Sequence, residues 1–164
     1  MKPYRIQQKG FTLIELIVTV AIVAILASVA MPMLQMSVQR NKEIELRANL
    51  RQIREAIDAY KKAVDEGRIK KSIEETGYPP NLEVLVNGAV DEKDINKNKL
   101  KFLRKIPLDP MTTTADKNTD NVPNNWGLRS YASEASDPQQ GADVFDVYSL
   151  SQQIGINGIA YAKW

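Results

Sequence analysis

Residues 11–38 read FTLIELIVTVAIVAILASVAMPMLQMSV and carry one charge, Glu15. All 22 basic residues of the 164-residue chain lie outside this stretch. A helix rising ~1.5 Å per residue needs about 20 apolar residues to cross a bilayer. Residues 16–34 nearly supply that number, interrupted only by Thr19, Ser28 and Pro32. Ahead of the run stand Lys2, Arg5 and Lys9, with no acid among them. Basic flanks stay on the cytoplasmic side, so the polar remainder of the chain is expected on the other face. A cleaved secretory signal fits poorly: the run exceeds a signal core, and Pro32, Met33 and Leu34 stand where a small-x-small site belongs.

The whole-chain averages conceal this division. Hydrophobic residues at 43%, charged residues at 26% and a mean hydropathy of −0.34 are ordinary globular values. They exclude a disordered, collagen-like or polytopic membrane chain. The chain has no Cys and no His, which removes disulfides, zinc fingers, a thiol nucleophile and the commonest general base. A net charge of +2 lacks the basic excess of a nucleic-acid binder. No nucleophile–base spacing and no glycine-rich phosphate loop occurs, so no enzyme activity is expected.

Glu15 narrows the reading further. A carboxylate near the start of an apolar run is costly, about 2.5–3.5 kcal/mol at a helix centre and less near the interface. A plain anchor has no use for it, and an ionisable group in lipid asks for a partner. The run Lys9-Gly10-Phe11-Thr12-Leu13-Ile14-Glu15 resembles the processing site of type IV prepilins and pseudopilins. The resemblance implies cleavage by a membrane prepilin peptidase between Gly10 and Phe11, and N-methylation of Phe11. It also implies a role for Glu15 in filament assembly, pairing with the new amino terminus of a neighbouring subunit. Pro32 matches another position of the family. Lacking an N–H for the carbonyl of Ser28, it is expected to kink or loosen the helix, with Ser28 or a neighbouring helix covering that carbonyl.

Beyond residue 38 the pattern becomes amphipathic. Leu46, Leu50, Ile53, Ile57, Tyr60 and Val64 follow spacings of 4, 3, 4, 3 and 4, which is one helical face. The stripe is expected to pack on the chain's own small domain, with Gly67 ending the helix. Residues 68–76 suggest one or two further helical turns. Gly77-Tyr78-Pro79-Pro80 marks a turn, and Asn81 caps a short apolar helix at 82–86 that stops near Gly88. Residues 91–101 read as a charged loop or helix. Residues 111–125 read as a polar surface loop. Residues 126–131 and 144–150 read as two antiparallel strands covering the amphipathic helix. The segment 154–164 reads as a loop or edge strand. The expected class is α+β: a long N-terminal helix packed on a small antiparallel sheet.

Tyr78-Pro79-Pro80, Leu82, Leu85, then 103–110 (LRKIPLDP), Trp126-Gly127, Tyr131 and 145–149 (FDVYS) are similar, in content and order, to the major pseudopilins of type II secretion systems (general secretion pathway protein G type). The resemblance implies a cleaved leader (1–10), a transmembrane and assembly helix (11–38), the amphipathic half of that helix (39–66) and a periplasmic head (67–164). It implies a single-pass inner-membrane protein of a diderm bacterium, its leader cytoplasmic. It further implies a helical homo-oligomer, with minor pseudopilins, an inner-membrane assembly platform and its ATPase as partners, that drives protein export. A surface type IV pilus subunit and a membrane-anchored periplasmic binding protein are the alternatives.

Three departures stand out. Residues 68–76 are an insertion. Met111 follows Asp109-Pro110 where the family often has Trp. The loop after Ser149 reads LSQQIGING, whereas the family's calcium-binding loop is rich in Asp and Gly. Calcium needs several oxygens, usually including carboxylates. Asp143 and Asp146 are three apart and fall on opposite faces of a strand. The expectation is therefore no cofactor, with Ile154, Ile156 and Ile159 packing the loop in place of an ion, and a calcium site as the alternative.

Overall fold

The computed structural model describes residues 10–112 and 125–164; the leader before Gly10 and most of the 111–125 loop lie outside the described residues. One helix, α1 (Leu13–Asp65), is followed by α2 (Glu83–Asn87), strands β1 (Ala89–Val90), β2 (Lys99–Leu100), β3 (Trp126–Arg129) and β4 (Asp146–Ser149), and a 3-10 turn at Tyr161–Lys163. The chain forms two compact units, residues 1–39 and 40–164. The fold is the α+β, type IV pilin-like arrangement the sequence suggests.

In the first unit the large apolar side chains are exposed, from Phe11 and Leu13 to Met36 and Val38. The helix is apolar around its circumference, and among the described residues of this unit nothing covers it.

In the second unit the six stripe residues are all buried, Leu46, Ile53 and Ile57 completely. Their core partners include Leu82, Leu85, Leu103, Trp126, Val144 and Val147. Each fully buried aliphatic side chain is worth about 1.5–3 kcal/mol, so the stripe is what fastens this half of α1 to the domain. The helix ends as its sequence requires. Gly67 takes φ +69°, and the Arg68 N–H reaches back to the Ala63 carbonyl (2.9 Å).

Strands β3 and β4 pair antiparallel, Trp126 opposite Ser149 and Arg129 opposite Asp146. Gly127 lies opposite Tyr148, and a Cβ there would fall 2.3 Å from the tyrosine ring. Only a glycine lets that ring lie on the strand. Asn81 Oδ1 accepts the Val84 N–H (3.0 Å) at the start of α2.

Two segments differ from their sequence reading. Residues 91–98 are a loop, one of the two forms read from the sequence, but the segment does not end as one: residues 99–100 form β2, and the loop connects the antiparallel pair β1 and β2, Ala89 opposite Leu100. The pair is two residues long on each side, too short for a period-two signal. Residues 68–76 form turns rather than helix. Long-range polar contacts override their helical propensity. Arg68 pairs with Asp91 (2.6 Å), its carbonyl accepts the Glu92 N–H (2.7 Å), and Thr76 donates to Asp143. The insertion thereby ties the end of α1 to the β1–β2 connection and to the start of the β4 segment.

A buried polar contact joins two of the sequence motifs. Asp109 is fully buried; Oδ2 accepts the Ser149 hydroxyl (2.6 Å) and Oδ1 the Met111 N–H (2.8 Å). Asp109→Ala strands both donors and is expected to cost about 2–4 kcal/mol, with Asp109→Asn recovering part of it. Urea unfolding of the full chain in detergent measures both.

The Arg68 hydrogen bond holds the Asp91 carboxyl below its ordinary value, against the opposing effect of burial. At Asp143 burial pushes upward, but hydrogen bonds from Thr76, the Tyr131 N–H and Ser130 outweigh it and leave the carboxyl lowered. A lowered folded pKa contributes stability above the unfolded value, about 3.9, and that stability is lost as pH falls through the folded one. The melting temperature is expected to hold from neutral pH to about 5 and fall below about 4. Arg68→Gln should make the acid limb shallower.

Candidate functional site

The sequence places its strongest candidates at the start of α1. Thr12 precedes the first helical residue, and its hydroxyl accepts the Glu15 N–H (3.3 Å). Glu15 Oε2 in turn accepts the Thr12 N–H (2.9 Å) and the Thr12 hydroxyl (2.8 Å). This is a reciprocal capping box, Thr-x-x-Glu, in which the two residues satisfy each other's donors at a helix terminus. Reading Glu15 only as a charge seeking a partner overlooks Thr12; the Thr-x-x-Glu spacing ahead of an apolar run is the signal that finds it.

The box uses one carboxylate oxygen. Glu15 Oε1 accepts no hydrogen bond among the described residues, and Glu15 has no ion pair among them. Capping therefore fixes the carboxylate at the helix terminus and leaves one oxygen for a donor from elsewhere. Gly10 and Phe11 lie just outside the helix and are exposed. A Cβ on Gly10 would meet nothing within 4 Å among the described residues, and Gly10 is not among the glycines of positive φ. The fold makes no demand for glycine there.

Pro32 lies within the range of α1, which continues to Asp65. Ser28 is not the cover for its own freed carbonyl: its hydroxyl donates to the Ile25 carbonyl (2.7 Å). A serine hydroxyl in a helix reaches back three or four residues, so Ile25, not Ser28, receives it.

The second candidate is the loop after β4. Its isoleucines do not pack inward: Ile154 is 65% exposed, and Ile156 and Ile159 are each 47% exposed. The loop is held instead by Glu43, a buried acid of α1. Glu43 Oε1 accepts the Ile156 N–H (2.7 Å) and the Tyr161 hydroxyl (2.9 Å). Backbone bonds from Gly155 to the Ile159 carbonyl (2.9 Å) and from Tyr161 to the Gln153 carbonyl (3.0 Å) close it. Backbone N–H groups need acceptors, and a carboxylate supplies what aliphatic side chains cannot.

The residues here do not fit calcium. Asp146 is held between Arg54 (2.7 Å) and Arg129 (3.1 Å), and Asp143 accepts from Thr76 and the Tyr131 N–H (2.9 Å). Among the described residues no cluster of three or more acids, His or Cys is placed to hold a metal. Calcium would have to displace arginines from Asp146 and find further oxygens in a loop without acids.

Comparison with known proteins bears on both the helix and the domain. Residues 5–31 match the prokaryotic N-terminal methylation motif. The chain is 33% identical over 110 residues to the type II secretion system core protein G of Pseudomonas aeruginosa, covering 65% of this chain and 70% of that protein. It is 45% identical over 51 residues to the type IV major fimbrial protein FimA of Dichelobacter nodosus, covering 31% of this chain and 33% of that one. No solved structure matches. The 110-residue match cannot be confined to the N-terminal helix that pilins share, so it extends into the domain built on Leu46, Asp109 and Ser149: the chain belongs to the type II secretion system core protein G family.

Proposed function

We propose that this chain is a structural subunit, the major pseudopilin, which polymerises into the pseudopilus of a type II secretion system. The observation that carries the reading is the start of α1. A capped carboxylate with one open oxygen stands at the head of a helix whose large apolar side chains are exposed from Phe11 to Val38. Such a surface needs lipid before assembly and other helices after it.

In this reading prepilin peptidase cuts between Gly10 and Phe11, and Phe11 becomes the N-methylated first residue. The absence of any fold requirement for glycine at position 10 supports a requirement imposed by the peptidase. The new amino terminus of one subunit then meets Glu15 Oε1 of its neighbour. Each charge is costly alone in lipid, and pairing lowers both desolvation penalties together. Losing Lys2, Arg5 and Lys9 with the leader takes the side-chain charge from +2 to −1. The subunit spans the inner membrane once, with residues 40–164 in the periplasm. Minor pseudopilins, an assembly platform and a cytoplasmic ATPase complete the machine, and the ATPase, not this chain, supplies the energy. The longer match to the secretion protein than to the fimbrial one favours export over a surface pilus.

Glu15→Ala is expected to give a processed, membrane-inserted subunit that does not assemble. Glu15→Gln keeps the cap but not the charge and should also fail. Mass spectrometry of the N-terminus and sheared-filament yield read the two steps separately. Normal filaments from Glu15→Ala contradict the reading. Gly10→Val should leave the leader attached while preserving the melting temperature.

The domain is proposed to hold no resident metal, with Glu43 organising loop 150–160 in its place. The melting temperature of the full chain should be the same in calcium and in chelator. Glu43→Ala, which leaves the Ile156 N–H without its acceptor, is expected to cost about 1–3 kcal/mol. A clear calcium-dependent rise in melting temperature would count against this assignment.

A further inference from the structure

Resting on the filament reading, a second feature of the domain concerns how copies meet. Along α1 runs a groove of about 510 Å³ with apolar surface from Leu50, Ile159 and Trp164 and with Arg47, Arg51 and Lys163 beside it. Arg47 lies over the Trp164 ring (4.4 Å). Arg51 and Lys163 have no ion pair among the described residues. The lining also includes Glu55 and Asp58, further along α1.

Opposite charge is concentrated elsewhere in the same unit. Residues 130–162 contain four acids and no Lys or Arg. Two of these, Asp143 and Asp146, are engaged within the fold. The other two, Glu134 and Asp137, are exposed and make only local hydrogen bonds, to Ser136 and Gln139. They lie on a loop whose ends are tied together by the Ser130 N–H to the Gln139 carbonyl (2.9 Å). Tyr131, 59% exposed, adds apolar surface at the base of this loop.

Groove and loop stand at different levels of α1. Tyr131 stacks on Tyr78 (5.6 Å), which lies under Lys61. Arg51 is ten residues earlier on the helix, or about 15 Å along it. The acidic end of the groove, at Asp58, is the one nearer the level of Lys61. An acidic loop therefore does not fold back into its own groove without like-charge repulsion. Two different, complementary patches on one subunit make a heterologous contact, and a heterologous contact whose rotation does not close builds an open filament.

We propose that loop 131–138 of one copy seats in the Arg47–Arg51–Lys163 groove of the next copy along the filament. Glu134 and Asp137 pair with Arg51 and Lys163, and the Tyr131 ring covers the apolar surface of the groove. The interface adds register between periplasmic domains to the association of the apolar helices.

The chain has no Cys, so introduced thiols report without background. The full-length Arg51→Cys, Asp137→Cys double variant is assembled with its secretion machinery and oxidised. A disulfide ladder of dimers, trimers and longer species in the sheared filaments is the expected result. Filaments without a ladder overturn this contact and leave the filament reading standing. Crosslinks from the thiol introduced at position 51 to a different protein, identified by mass spectrometry, overturn it in favour of that partner. Absence of filaments from the parent chain overturns the filament reading and this contact with it. In parallel, Arg51→Glu and Asp137→Arg singly are expected to lower filament yield about tenfold, and the charge-swapped pair to restore it. Parental yield from Arg51→Glu also overturns the proposal.

Discussion

A helix that is apolar on every side cannot be covered by one small domain. From Leu13 to Val38 the described large side chains of α1 stay exposed, and among the described residues of that unit nothing lies over them. In water such a surface would be removed by aggregation, so lipid or further helices of the same kind must take water's place. The other features of the helix follow from that demand. The start must be capped because terminal N–H groups lack partners within the helix, and Thr12 with Glu15 caps it. The acid that caps is also the one charge in the stretch.

The second half of α1 obeys a different solvent. Between Leu46 and Val64 the apolar residues narrow to one stripe, and the domain closes over it. Polar fastenings then set where each segment lies. Arg54 donates to Asp146 and to the carbonyls of Val147 (3.1 Å) and Trp164 (3.0 Å), joining the helix to β4 and to the last turn. Glu43 holds loop 150–160, and Asp109 joins the Pro110 segment to Ser149. Each uses a charged or hydroxyl group whose partner is at least 40 residues away in the chain.

Much of this was legible from residue order. The apolar stretch, the six-residue stripe, the Gly67 stop and the pairing of the two longer strands are all local patterns with a fixed period or a known terminator. The candidate residues Gly10, Phe11 and Glu15 likewise belong to one contiguous motif of the sequence. The misread pieces share a cause. Residues 68–76 have helical propensity but are drawn out by Asp91 and Asp143, and β1–β2 is too short to show alternation. The isoleucines of loop 150–160 suggested apolar packing because the acid that holds the loop lies more than 100 residues earlier.

By itself the sequence determined that α1 has one half apolar all round and one half apolar along a stripe, and that a charged motif stands at its start. Those properties are sums over neighbouring residues: hydropathy, charge and helical period act within a few turns. Only the tertiary structure decided that Glu43 holds loop 150–160, that Asp143 and Asp146 are spent on partners within the fold, and that a basic groove and an acidic loop stand at different levels of α1. Hydrogen bonds and ion pairs act over about 3 Å in space, and which residues come within that distance is set by the packing of the stripe rather than by their separation in the chain.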